Sequence, residues 1–266
     1  MTRVLSGAVL FAFAIAVVWF ASAFAFFVVA EALVLLGVVE YVALAGKNGS
    51  FVPAIPAGLS AMLTAAAFAR LAFGGSPGVP IDVVLMSALV AIGALTIARA
   101  SGGHDGLGMA AVSLFPSLYL GLPIGAMIAI RETRSRGALF LLMLTVFVSD
   151  TAQYYSGRRF GRRPLAPAIS PNKTMEGAVG GLISGTLLLA VVGAWWLPAV
   201  PVTLRAALGV AVVALGIAGD LFESMLKRSA GVKDSSTLIP GHGGILDRID
   251  ALLFAAPVYY IVLKYV

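Results

Sequence analysis

Nine apolar runs divide this chain, at roughly residues 4 to 20, 22 to 45, 56 to 73, 81 to 99, 108 to 130, 137 to 156, 176 to 197, 203 to 226 and 249 to 266, with ends placed to within about 2 to 4 residues. Crossing a hydrocarbon layer of about 30 Å takes about 20 apolar residues as helix, and backbone polar groups left unpaired in lipid exclude most other spanning structures. The runs therefore predict an all-α, polytopic membrane helix bundle of about nine transmembrane helices. Composition agrees, because 60% of the 266 residues are hydrophobic and only 11% are charged, which no ordinary soluble domain tolerates. The alternating pattern of a membrane β-barrel does not occur. The runs group into a first region, residues 1–136, with about five spans, and a second, residues 137–266, with about four spans and two polar loops.

Charge placement orients this bundle. With nine spans, Arg3, Lys47, Arg99, Arg158, Arg159, Arg162, Arg163, Lys173, Lys227, Arg228, Lys233 and Arg248, twelve of the eighteen basic residues, fall on one side. The positive-inside rule makes that side cytoplasmic, which puts the N-terminus inside. Arg131, Arg134 and Arg136 form a local exception. The start of the chain, with its apolar run and Ala21-Ser22-Ala23, has the look of a secretory signal, but the run flows directly into a second span and reads better as a retained helix. A location in the cytoplasmic (inner) membrane with the site facing the cytoplasm is the expectation.

This topology brings acids together without having been built to do so. Asp150, Asp220 and Glu223 lie near the cytoplasmic ends of their spans, and Glu176, Asp247 and Asp250 begin spans on the same side. Charged residues are costly near lipid, so six carboxylates beside the two most basic loops point to a site for a charged ligand. The chain has no cysteine and two histidines, which removes thiolate metal sites and leaves too few imidazoles for a histidine-rich zinc site. Any metal here is expected to be a hard ion held by oxygen, such as Mg²⁺.

The densest polar stretch, Ser224 to Asp250, holds seven of the thirty charged residues and four glycines. At 100° per residue, Asp220, Glu223, Ser224 and Lys227 fall within an arc of about 100° on one helix face. Asp247 and Asp250 sit three apart in the first turn of the last helix, where both can address one ion or simply complement the helix dipole. Between the two helices, Gly241, Gly243 and Gly244 permit close backbone approach, and His242 can donate to a phosphate oxygen or merely satisfy the loop. Lys227, Arg228, Lys233 and Arg248 supply cations for a polyphosphate, with membrane-surface anchoring the plainer alternative. Glu31 and Glu40, inside an apolar span, are expected to be satisfied by interhelical partners rather than to take part in chemistry.

These residues resemble the signature of the phosphatidate cytidylyltransferases, or CDP-diacylglycerol synthases: Ser-x-apolar-Lys-Arg, four residues, Lys-Asp, then Pro-x-His-Gly-Gly and Asp-Arg-apolar-Asp. Ser224, Lys227, Arg228, Lys233, Asp234, Pro240, His242, Gly243, Gly244, Asp247, Arg248 and Asp250 match it at all twelve specified positions. The stretches from Ser149 to Gly161 and from Ser170 to Gly177 are similar to the other polar region of that family. The resemblance runs in register from about Asp150 to the C-terminus, and before that only in hydropathy and span number.

The resemblance implies that CTP and phosphatidic acid give CDP-diacylglycerol and pyrophosphate, with Mg²⁺ held by Asp220 and Asp247 and a monovalent cation such as K⁺ beside it. Asp250 is expected as a further ligand or close partner of the metal. Lys173, Lys227, Lys233 and Arg248 are the expected phosphate clamps, and Asp150, Ser224, Arg228, Asp234, Glu176 and His242, with Gly243 and Gly244, the expected lining of the substrate pocket. Expected partners are CTP, phosphatidic acid and the bilayer, and not nucleic acid. The oligomeric state is open, a homodimer included. Two rivals use similar parts: a polyprenol-type lipid kinase, which needs a base to deprotonate a hydroxyl, and a cation-coupled transporter, whose sites lie nearer the midplane and often in related halves.

Overall fold

The computed structural model describes residues 2–70, 73–74, 79–99, 106–239, 241 and 243–266. Side chains of residues 2–6 and 8 are left aside, and His104, Pro240 and His242 lie outside the described residues. The chain is all-α apart from one hairpin. Its helices are α1 (Thr2–Phe20), α2 (Ala23–Lys47), α3 (Ala54–Ala66), α4 (Ile81–Arg99), α5 (Gly106–Pro116), α6 (Leu122–Thr133), α7 (Arg136–Phe160), α8 (Met175–Trp196), α9 (Val202–Ser229) and α10 (Leu246–Tyr265). A π-helical turn at Ser117–Gly121 joins α5 to α6 as one rod, Gly106–Thr133. Each predicted run therefore has its helix. Among the described residues, six helices are long and apolar enough to cross a membrane: α2, α4, the α5–α6 rod, α7, α8 and α9. The protein is thus a multi-pass membrane protein.

Two other helices, α3 and α10, differ from a simple spanning rod. The run at 56 to 73 forms only the 13 residues of α3, about 20 Å of rise. Its ladder tightens where Phe68 N–H turns to Ala65 O and Ala69 N–H to Ala66 O, which ends the helix. Helix α10 has the length of a span but opens on Asp247, Arg248 and Asp250.

Local chemistry marks the helix boundaries. Ser22 caps α2, its Oγ accepting from Ala25 N at 3.1 Å, so Ala-Ser-Ala is here a helix–helix turn. Ser135 caps α7, accepting from Ala138 N at 2.9 Å, and Thr174 caps α8, accepting from Gly177 N at 3.1 Å. Each satisfies a backbone donor that the first helical turn leaves free. The arginines that broke the charge rule bind backbone instead. Arg131 donates to Val18 O at 3.0 Å and to Ala21 O, Arg136 donates to Trp19 O at 2.7 Å, and Arg134 donates to Leu263 O. They hold carbonyls at the C-terminal ends of α1 and α10, where the helix dipole favours a cation.

Packing in the second half depends on glycine. The buried face of α8 is Gly177, Gly181, Gly185, Leu189 and Gly193, a spacing of four that keeps small residues on one side and lets backbones approach. A Cβ at Gly181 would collide with Gln153 of α7, and one at Gly185 would lie 2.5 Å from Val213 Cγ2 of α9. Helix α8 is thereby pressed between α7 and α9, while α10 packs on α9 and on α6. Tyr259 of α10 is fully buried and donates to Ala138 O at 3.0 Å. Outward, α4 exposes Met86, Leu89, Val90 and Ile97, as a lipid-facing helix should.

Candidate active site

Consecutive antiparallel helices bring the C-terminal ends of α7 and α9 and the N-terminal ends of α8 and α10 to one end of the bundle. The loop between α7 and α8 folds there as an antiparallel hairpin, β1 (Pro164–Ala166) with β2 (Ser170–Thr174), in register Pro164↔Thr174 and Ala166↔Ser170. Glu176 fastens it, accepting from Arg162 N at 3.0 Å and Arg163 N at 3.3 Å. Strand β2 carries Lys173, whose ammonium pairs with the Asp220 carboxylate of α9. Ser224, one turn on, reaches Asp220 Oδ1 at 3.5 Å.

The face predicted for α9 forms. Lys227 is buried and its ammonium pairs with two carboxylates, Glu223 on its own helix and Asp247 of α10, the latter at 2.5 Å. Glu223 is fully buried and its Oε1 has no hydrogen-bond donor among the described residues. Asp247 is most heavily bonded at one oxygen: Lys227 is the one donor at Oδ1 among the described residues, while Oδ2 accepts from Ser235 N at 2.9 Å, Ser235 Oγ at 2.7 Å and Gly244 N at 2.8 Å. Asp250 Oδ1 accepts from Ala251 N at 2.8 Å, and the residue lies within electrostatic reach of Asp220 and Asp150. Asp150 sits at the surface, where Gln153 Nε2 donates to it at 3.0 Å.

Other expected site residues fall around this centre. Arg228 braces the hairpin, donating from Nε to Ile169 O at 3.3 Å and from Nη1 to Val232 O at 3.0 Å. Lys233, Asp234 and Arg248 are exposed. Glu176 lies on the hairpin side, lining with Arg159, Phe160, Gly161 and Arg162 an open cleft of about 380 Å³. Gly241 and Gly243 both adopt a left-handed backbone, φ 76°, which a side chain resists. His242 lies outside the described residues.

Two contributors come from the first half and carried no sequence signal as site residues. Glu40 of α2 accepts from Ser236 Oγ at 2.8 Å, Ser235 Oγ at 2.9 Å, Ile245 N at 2.9 Å and Leu246 N at 2.9 Å. The expected interhelical partner thus exists, but it is the signature loop itself. Tyr119, from the π-turn, stacks on Phe115 and meets Phe222 and Phe254 edge-on. Its buried hydroxyl has no hydrogen-bond partner among the described residues and lies within electrostatic reach of Glu223, Asp250 and Asp247. Glu31 differs from expectation, being buried with neither oxygen hydrogen-bonded among the described residues.

Among the described residues, no three acidic or histidine side chains stand close enough to hold a metal ion as they are. The donor chemistry nonetheless suits a hard cation. The carboxylates of Asp150, Asp220, Glu223, Asp247 and Asp250 against the ammonium groups of Lys173 and Lys227 leave a formal surplus of three negative charges. Such a surplus, with an unpartnered buried oxygen at Glu223, favours a bound cation.

Residues 1–266 match the profile of the Cytidylyltransferase family. The chain is 36% identical to a phosphatidate cytidylyltransferase of Pseudomonas aeruginosa over 233 residues, covering 86% of this chain and 83% of the relative. It is 50% identical to the Haemophilus influenzae phosphatidate cytidylyltransferase over 129 residues, covering 46% of this chain and 44% of that one. The Aquifex aeolicus enzyme of the same name is 40% identical over 151 residues, 57% of this chain and 56% of the relative. The aligned part thus spans about half the length of the Haemophilus and Aquifex relatives.

Proposed function

Because the chain belongs to the Cytidylyltransferase family, we propose that it transfers the cytidylyl group of CTP to phosphatidic acid, giving CDP-diacylglycerol and pyrophosphate. The observation that supports this best is the ion-paired centre of Lys173, Asp220, Glu223, Lys227 and Asp247, set beside exposed cations at Lys233 and Arg248 in a membrane helix bundle. It offers a charged lipid and a polyphosphate one meeting place at the end of the helices.

The reaction asks little acid–base chemistry of the protein. A phosphate monoester has a second pKa near about 6 to 7, so the lipid phosphate is largely a dianion near neutral pH. One of its oxygens attacks the α-phosphorus of CTP and a new P–O bond forms. The bond from that phosphorus to the α–β bridging oxygen breaks, and its electron pair leaves with pyrophosphate. What the protein supplies is alignment and neutralisation of charge. Lys173, Lys227, Lys233 and Arg248 are assigned to the phosphates. Mg²⁺ would be held by Asp220 and Asp247 with Asp250 beside them, where it would neutralise triphosphate charge, and a monovalent cation such as K⁺ would share this acidic ground. In the membrane the reading is of nine spans with the N-terminus and the site on the cytoplasmic side of the inner membrane, so that CTP arrives from the cytoplasm and the lipid from the inner leaflet.

The test is turnover by purified protein in mixed micelles of detergent and phosphatidic acid, with each of the four nucleoside triphosphates and with or without divalent metal. Metal-dependent formation of a CDP-lipid from CTP alone is expected. Phosphate transfer from ATP to a lipid alcohol, or no nucleotide turnover, would refute the proposal. Asp247→Asn is expected to lower kcat at least about a hundredfold, and near-normal rates would remove Asp247 from the site.

A further inference from the structure

We infer that Glu40 is a positioning residue for this reaction, a carboxylate from the first half of the chain that sets the geometry of the catalytic loop. The inference rests on the proposed cytidylyl transfer. Glu40 is 4% exposed and receives four donors, two hydroxyls from Ser235 and Ser236 and two backbone N–H groups from Ile245 and Leu246. Its partners lie 195 to 206 residues away in sequence. A carboxylate is an acceptor only, and four donors on two oxygens match its ionised form.

This contact determines two features of the loop. First, the free N–H groups at the start of α10 end on Glu40, since Ile245 provides no side-chain cap; the negative charge also suits that end of the helix dipole. Second, Ser235 Oγ stands 2.9 Å from Glu40 Oε2 and 2.7 Å from Asp247 Oδ2. One hydroxyl has one proton, so Glu40 and Asp247 share a single donor and the place of one bears on the other. Gly244 completes the fit. A Cβ there would collide with both Glu40 oxygens and with Ser235 Oγ, so glycine at 244 is required by the carboxylate of α2.

Glu40→Gln tests the inference, because the amide nitrogen cannot accept from the fixed N–H of Ile245 or Leu246. In mixed micelles kcat is expected to fall about 10- to 100-fold, the range for residues that orient an active-site ligand, with KM for phosphatidic acid unchanged within about twofold. Glu40→Asp, which keeps the charge but shortens the reach, is expected to recover part of that kcat. Hydrogen exchange followed by mass spectrometry should show faster exchange confined to the segment 235–246, with α7 and α8 unchanged. Wild-type kcat in folded Glu40→Gln would overturn the inference. So would faster exchange throughout the chain, with kcat falling only as active protein is lost. If the unmutated protein makes no CDP-lipid, the proposed function fails by itself. The exchange measurement then still decides whether Glu40 holds the loop, and unchanged protection at 245–246 would overturn that contact.

Discussion

Replacing Lys227 by methionine keeps most of the length of the side chain and removes its charge, which separates two kinds of ion pair in one site. The Lys227 side chain is 10% exposed and its partners Glu223 and Asp247 are 0% and 5% exposed. Without the ammonium, Asp247 keeps its three donors from Ser235 and Gly244. Glu223 keeps no hydrogen-bond donor among the described residues. Removing one partner of a buried pair costs about 3–5 kcal/mol, because the charge left behind stays desolvated. Lys173 and Asp220 form a more open pair, with side chains 21% and 34% exposed; the Lys173 Nζ is itself out of solvent, but the Asp220 left behind can be hydrated, which holds the contribution to about 0–1 kcal/mol. At about 2–4 °C per kcal/mol, Lys227→Met should lower the unfolding midpoint by about 6 to 20 °C, and Lys173→Met by less than about 4 °C. Tryptophan fluorescence on heating, in one detergent for all variants, measures both. Both variants should lose turnover, so Lys173→Met would be stable and inactive. Adding Glu223→Gln to Lys227→Met removes the stranded charge and should return most of the lost stability. Equal midpoints for the two single lysine variants, or a double variant as unstable as Lys227→Met, would refute the reasoning.

Two further outcomes test the frame around the site. Gly181→Leu places a side chain where Gln153 of α7 already stands, and overpacking of this kind costs about 1–3 kcal/mol or more, read as a lower yield of monodisperse protein than for a leucine at lipid-facing Val179. The chain has no cysteine, so Lys233→Cys makes a single labelling site: a membrane-impermeant maleimide should modify it in inverted membrane vesicles and not in intact cells, and the reverse pattern would overturn the cytoplasmic placement.

The helices were legible because lipid imposes a simple rule on them. Apolar runs of about 20 residues need little else, and their ends at Ser22, Ser135 and Thr174 coincide with side chains that cap helices. The pairing of Lys227 with Glu223 follows from an interval of four residues on one helix. Helix α3 was legible only in part, since hydropathy continues through Phe68 and Ala69 while the backbone has already changed to three-residue bonds. The hairpin that carries Lys173 had no strand pattern to announce it. Its short strands are interrupted by Pro164 and Pro171 and held by Glu176 and by Met175 N–H donating to Arg163 O at 2.9 Å.

The loop from Ser235 to Leu246 shows why the centre of the site was harder to read than its outline. Its glycines suggest a backbone cradle for phosphate, and the spacing of the loop is indeed what named a family. Yet the inner side of that loop is occupied by protein carboxylates: a Cβ at Gly243 would stand 2.5 Å from Asp247 Oδ2, and one at Gly244 would strike Glu40. Two of the glycines are therefore accounted for by acids that the fold brings in, one from four residues along the chain and one from α2. Nothing local in the sequence could report the second, because a glutamate in an apolar helix looks the same whether it meets a neighbouring helix or a loop 195 residues away. In the proposed function, phosphate contact then falls to Lys173 and Lys227 and to the cations exposed beside the loop, Lys233 and Arg248, while the glycines make room for the carboxylates that hold the loop in place.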